Sequence, residues 1–198
     1  MAVEQRQAIV TWARTIQQRH DVAFLDTETT GLRHHDEIVD IALVDAAGQT
    51  LLNTLVRPSR PIPPEVVAIH GITDAHVASS PPWPEVYPEL RRLLRAFPCL
   101  VIYNAPFDLR LLDQTCRRFD LSPLSATIEA HCAMRRYAQY AGPGKRWRLQ
   151  DALAALGARA SPAHRALADA NACRQVVSAM ADEIACRPTI ADRRRYDF

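Results

Sequence analysis

No run of apolar side chains among the 198 residues is long enough to span a bilayer. Neither a signal peptide nor a membrane segment is therefore expected, and the protein is expected in the cytoplasm. The five cysteines, at 99, 116, 132, 173 and 186, never form a Cys-x-x-Cys pair. That excludes zinc-ribbon and thioredoxin-type chemistry, and the odd number at wide spacing fits free thiols in a reducing compartment. Charge of one sign is also lacking: 24 Lys and Arg against 22 Asp and Glu leave a formal net charge of +2. This balance lacks the marked basic excess of a strong duplex-DNA binder, yet it leaves room for an enzyme that grips a few nucleotides. Internal repeats and low-complexity tracts are absent. With 48% apolar residues, residues 1–198 read as one domain large enough for a full core.

What is present begins with a helix. Ile9, Trp12, Ala13 and Ile16 recur at i, i+3, i+4 and i+7 and predict a helix over 4–19, an addition ahead of the first strand. Strands are expected from Val22, over Ile38–Val44 with Asp40 interrupting, and over Leu51–Val56, in antiparallel succession. Prolines 58, 61, 63 and 64 break regular structure before a short helix at Glu65–His70, stopped by Gly71. A loop over Pro81–Pro84 leads to a helix over Glu85–Phe97, and Cys99–Tyr103 reads as a strand parallel to the first. A helix over Ala105–Phe119 follows, then helical segments over 129–140 and 149–156 split by Gly142-Pro143-Gly144. The last helix is expected over 165–186 and a short tail over 187–198. The pattern predicts an α/β domain with a mixed sheet flanked by helices.

The chemistry starts where the first strand ends, at Phe24-Leu25-Asp26-Thr27-Glu28-Thr29-Thr30-Gly31. Period-two alternation puts Asp26 and Glu28 on one face. Two such carboxylates repel each other and resist desolvation unless a hard divalent cation sits between them. Asp-x-Glu alone recurs by chance about once in a chain this long, and an exposed acidic turn is the competing reading. A second signal is Tyr103-Asn104-Ala105-Pro106-Phe107-Asp108, at a strand-to-helix junction where α/β proteins place ligand groups. Asp108 suits either a metal or the helix dipole, and Asn104 either a cap or a substrate contact. The third is His164-Arg165-Ala166-Leu167-Ala168-Asp169. Five helical residues turn the chain to about 140°, so His164 and Asp169 converge only if His164 precedes the helix. Ser161-Pro162 argues for an earlier start; the later one is adopted because it lets both side chains meet. A His titrating near neutrality suits a general base.

Asp-Thr-Glu-Thr-Thr-Gly, Asn-Ala-x-Phe-Asp and His-Arg-Ala-Leu-x-Asp-Ala, in this order over roughly residues 21–180, resemble the three motifs of the DEDDh exonucleases. The exonuclease domain of the DNA polymerase III epsilon subunit, ribonuclease T and oligoribonuclease belong to that family. Its sister branch carries Tyr four residues before the last Asp; Arg165 stands there, and His164 stands at five. The resemblance implies a ribonuclease H-like fold and 3′–5′ hydrolysis of single-stranded ends to nucleoside 5′-monophosphates. It implies that Asp26, Glu28, Asp108 and Asp169 bind two divalent ions, Mg²⁺ or Mn²⁺, about 4 Å apart, with His164 as base. By the same resemblance, the Thr29 backbone meets the terminal 3′-hydroxyl and Leu32 wedges between the last two bases. His70 sits near the terminal nucleotide, and Asn104 and Phe107 are candidate substrate contacts. DNA is the expected substrate. The alternatives are an exoribonuclease and a non-catalytic polymerase-associated module; the short tail argues against a polymerase partner. Lys145-Arg146-Trp147-Arg148 is read as a solvated basic loop with Trp147 on the core, and Arg193-Arg194-Arg195 as a solvated tail.

Overall fold

The computed structural model describes residues 2–142, 147–158 and 164–184. Expectations for Lys145-Arg146, Ser161-Pro162 and the tail lie outside the described residues. Five strands, β1 (Val22–Thr29), β2 (Ile38–Asp45), β3 (Thr50–Leu55), β4 (Cys99–Ile102) and β5 (Glu129–Cys132), form one sheet in the order β3-β2-β1-β4-β5. The β1–β2 and β2–β3 pairings are antiparallel, whereas β1–β4 and β4–β5 are parallel. The mixed sheet expected from the sequence is the one observed. Eight α-helices accompany it among the described residues: α1 (Ala2–Gln18), α2 (Pro64–His70), α3 (Asp74–Val77), α4 (Trp83–Ala96), α5 (Ala105–Arg118), α6 (Ala133–Ala141), α7 (Leu149–Ala155) and α8 (Ala166–Ala181).

Strand alternation divides the core into two layers. Val22 and Phe24 of β1 pack with Ile9 and Ile16 of α1, Tyr137 of α6 and Val176 of α8. Ala23 and Leu25 face the other way, onto Trp83 and Leu90 of α4 and Leu111 of α5. The N-terminal helix is thus part of the core. Arg6 Nη2 donates to the Tyr140 hydroxyl at 3.0 Å, and Arg14 Nε donates to the Ala181 carbonyl at 3.0 Å, where α8 ends with unpaired acceptors. Trp147 is buried in the same layer, as expected. Cys99, Cys116, Cys132 and Cys173 are free thiols. Among the described residues no helix is long and apolar enough to cross a membrane.

Two boundaries differ from expectation by more than two residues. Residues 129–132 form β5 instead of opening a helix. Glu-Ala-His-Cys has no β-branched residue and alternates only the small Ala130 and Cys132 with polar side chains; the open edge of β4 supplies its backbone partners. The last helix stops at Ala181, short of 186, and Glu183 then turns the chain with φ 57°. If α1 is core, Ile16→Ala, at a side chain 1% exposed, is expected to lower stability by about 2–5 kcal/mol in urea unfolding. A loss below about 0.5 kcal/mol would make α1 an appendage.

Candidate active site

Phe24, Asp26 and Glu28 share one face of β1. Phe24 enters the core, and the two carboxylates emerge half-buried at the strand end. Glu28 pairs in register with Asp40 of β2, after which Thr29 pairs with Ile38. The skipped Val39 makes a bulge that re-aims the strand end beside the acidic pair, and Val39 joins a small separate core with Ile62, Ile72 and Val77. Thr27, on the opposite face, donates from its hydroxyl to Asp108 Oδ1 at 2.8 Å. Asp108 is buried in the first turn of α5. Asp169 lies in the first turn of α8, which begins after Arg165, so His164 precedes the helix. That late start brings His164 Nδ1 to 3.4 Å from Asp169 Oδ2. The ligand atoms of Glu28, His164 and Asp169 all lie within 4.8 Å of one another.

Burial raises all four carboxyls, and their neighbours raise Asp26 and Glu28 further. Asp26 is held well above its ordinary range by burial, then by Asp108, Asp169, Glu28 and Asp40. Glu28 is pushed up to about 8 by burial, with Asp169, Asp40 and Asp108 adding to it. Burial pushes Asp108 up to about 7 against the hydrogen bond from Thr27. Burial raises Asp169 too, against His164. A site that makes four carboxyls reluctant to ionise becomes favourable once hard cations compensate the charge. The all-oxygen set Asp26, Glu28, Asp108 and Asp169, with one imidazole at its rim, fits the divalent metal ions that the family implies.

Beside the carboxyls lies a cavity of about 570 Å³, lined by Thr29, Leu32, Val66, Ile69, His70 and Phe107 among others. Leu32 is 74% exposed. It rides on a loop made rigid by polar contacts. The Asp36 carboxylate accepts from the Arg33 amide at 2.5 Å, and Gln114 Nε2 of α5 donates to the Asp36 and Arg33 carbonyls at 2.6 and 3.0 Å. Gly31 has φ 153°, and a Cβ there would also meet Asp36 Oδ2 at 2.6 Å, so glycine suits this turn. His70 Nδ1 accepts from the Ile72 amide at 3.0 Å, leaving the protonated Nε2 to donate to the Thr29 carbonyl at 3.2 Å. Burial holds its pKa down, so His70 is a neutral pin between the end of β1 and α2, with its ring on the cavity wall. Asn104 occupies the N-cap position of α5 without a side-chain cap hydrogen bond. The capping role weighed for it is therefore not the one it plays. Phe107 is half-buried and takes the Arg110 guanidinium over its ring at 5.4 Å.

The sequence reading missed three contributors. Ile69, 58% exposed, stands with Leu32 on the cavity wall. Gln114 steadies the Leu32 loop. Asp40, read only as an interruption of β2, is 1% exposed and accepts from Arg165 Nε at 2.8 Å and from the Ala166 amide at 3.3 Å. It thereby fixes the start of α8, and with it His164 and Asp169. A charged residue inside an apolar strand was the available signal.

Two outcomes follow from these contacts. Arg165→Ala leaves the buried Asp40 carboxylate without its counter-charge, with the Ala166 amide still donating to it, so it is expected to destabilise more than the double variant Arg165→Ala/Asp40→Asn. Because the guanidinium side chain is 47% exposed, the single change should cost about 1–3 kcal/mol in urea unfolding. The second concerns pH. Glu28 and Asp108 hold protons in the folded state up to about 8 and about 7, against ordinary values of 4.5 and 3.8. The metal-free fold must therefore shed protons that the unfolded chain has already lost. In EDTA, Tm should fall as pH rises from about 5 to about 8, and Mg²⁺ should raise Tm more at the upper end. A Tm unchanged across this window in EDTA would contradict the charge crowding.

A family model described as exonuclease, RNase_T, matches residues 23–177. An exonuclease, CP81, of Escherichia phage 186 is 42% identical over 172 residues, covering 81% of this chain and 88% of its own. The DNA polymerase III subunit epsilon of Treponema pallidum is 31% identical over 177 residues, covering 87% and 81%. Exonuclease X, solved with 5′ overhanging duplex DNA, superposes with a TM-score of 0.60 at 30% identity, covering 83% of this chain and 97% of that one. A 3′-exonuclease solved on a histone mRNA stem-loop shares the fold, with a TM-score of 0.70 at 18% identity; the match covers 85% of this chain and 66% of that one. With the family model spanning most of the chain, this protein belongs to the RNase_T family of exonucleases.

Proposed function

We propose that this chain is a metal-dependent 3′–5′ exonuclease that releases nucleoside 5′-monophosphates from single-stranded DNA ends. One observation carries the reading: Asp26, Glu28, Asp108 and Asp169, from three separate elements, crowd together with His164 beside an open cavity. These four carboxylates would hold two divalent ions, Mg²⁺ or Mn²⁺. When bound, such ions supply a lowered pKa for water and positive charge against the phosphate. The chain's own groups do the rest. Asp169 holds Nδ1 of His164 and stabilises the imidazolium, so the other ring nitrogen takes the proton of the attacking water. The Thr29 main chain, pinned by His70, forms the wall for the terminal nucleotide. Leu32, exposed on its rigid loop, inserts between the last two bases, where stacking needs no sequence readout. Phe107 and the uncommitted Asn104 amide flank the strand.

Similarity to a polymerase III epsilon subunit and to Exonuclease X supports DNA as the substrate. The reading needs no polymerase partner and no membrane, in keeping with a cytoplasmic enzyme.

The test is digestion of a 5′-labelled single strand of DNA and the matching RNA with Mg²⁺, Mn²⁺ or EDTA. A ladder shortening from the 3′ end is expected with metal, faster on DNA, and abolished in Asp26→Asn. His164→Ala should lower kcat by about 10²–10⁴-fold at an unchanged KM. Leu32→Ala should raise KM and leave metal affinity alone. Faster RNA hydrolysis would assign the chain to the exoribonuclease side of the family. A strand bound but never shortened would leave a non-catalytic binding module.

A further inference from the structure

A second concavity, of about 480 Å³, lies on the other side of the first turn of α5, between that helix, β5 and α6. Pro106 and Leu109 of α5 give it an apolar wall, and His131 of β5 with Arg135, Arg136 and Gln139 of α6 give it a polar, cationic one. Arg135 and Gln139 are exposed. The Arg136 guanidinium is held over the Trp12 ring at 5.1 Å, a contact that uses its flat face and leaves its N–H edge free to donate. The nearby carboxylate of Glu129 is already compensated, by Arg19 Nη1 at 2.9 Å and His131 Nε2 at 2.9 Å. The groove therefore presents uncompensated positive charge above an apolar wall, which matches a phosphate backbone carrying bases.

Its position ties it to the carboxyls. β1, β4 and β5 run parallel. Asp26 and Glu28 sit at the C-terminal end of β1, Asn104 and Asp108 follow β4, and α6 follows β5. The Met134 amide of α6 donates to the Tyr103 carbonyl at 2.9 Å, so α6 starts at the same sheet edge. Ligands in α/β sheets lie along this edge. From β1 to β5 is two strand spacings, about 10 Å. At about 3.4 Å per stacked nucleotide, that is roughly two to three nucleotides.

We propose that this groove is an upstream strand-binding site: the nucleic-acid strand whose 3′ end lies at the carboxyls crosses the first turn of α5 and sets its backbone against Arg135 and Arg136, roughly two to three nucleotides from the end. The proposal rests on the exonuclease reading for the direction of the strand, and on the groove alone for the contact.

The test is Arg135→Glu, an exposed change that leaves the Trp12 contact in place, read on two single-stranded DNA substrates. One is a dinucleotide, too short to reach the groove; the other has about twelve nucleotides. On the long strand KM should rise roughly fivefold at constant kcat, and the salt dependence of KM should flatten by about one charge. On the dinucleotide both constants should stay as in the wild type. Equal KM for variant and wild type on the long strand, or the same rise on both substrates, would overturn the groove while leaving the exonuclease reading intact. If the wild type cuts neither substrate, the exonuclease reading fails, and anisotropy of the labelled long strand reads the groove by itself: weaker binding in the variant supports it, and equal binding overturns it.

Discussion

Crowded negative charge at the end of the central strand is the constraint around which this molecule is built. Three elements from distant parts of the sequence each carry a carboxyl into a space that water only partly reaches. Burial raises every one of them, and the neighbours raise Asp26 and Glu28 further. Such an arrangement opposes the folding of the metal-free chain at neutral pH. It persists because the two apolar layers on either side of the sheet leave the strand end no other place to go. Phe24 and Leu25 anchor opposite faces of β1 within two residues of Asp26, so the carboxylates cannot rotate away without unpacking both layers.

Polar contacts around the acidic cluster work as braces. Thr27 holds Asp108 from the far face of β1, Asp40 holds the start of α8, and His70 pins the end of β1 to α2. Gln114 braces the loop that exposes Leu32. Each brace ties an element bearing a candidate catalytic group to a neighbouring element or loop, which preorganises the site before any ligand arrives. Asp40 shows why such a residue is conspicuous only in three dimensions. Along the chain it is one charge in an apolar strand. In space it faces Glu28, adds to the repulsion there, and ties down the helix whose first turn carries Asp169.

The elements that the sequence announced are those whose side chains satisfy a local periodicity. The stripe of α1, the apolar runs of β1 and β2 and the leucines of α4 each encode their own burial. The junction motifs at β1, before α5 and before α8 were legible because their residue types carry chemistry in sequence order. β5 was not legible: its four residues become a strand only because β4 offers them backbone partners. The groove beside it was hidden for the same reason, since it exists only where α5, β5 and α6 meet.

Apolar patterning and turn chemistry, which are properties of neighbours along the chain, announced a mixed α/β sheet flanked by helices, and the three motifs, through their family resemblance, singled out five candidate catalytic residues and Leu32. Only the tertiary structure decided that Asp40 anchors α8, that both His70 nitrogens are spent on the main chain, that Asn104 leaves its helix uncapped and that a cationic groove adjoins the acidic site. Those outcomes depend on which groups meet across tens of residues. Burial then sets their energetic weight, because a polar group removed from water must take a partner from whatever the fold brings near.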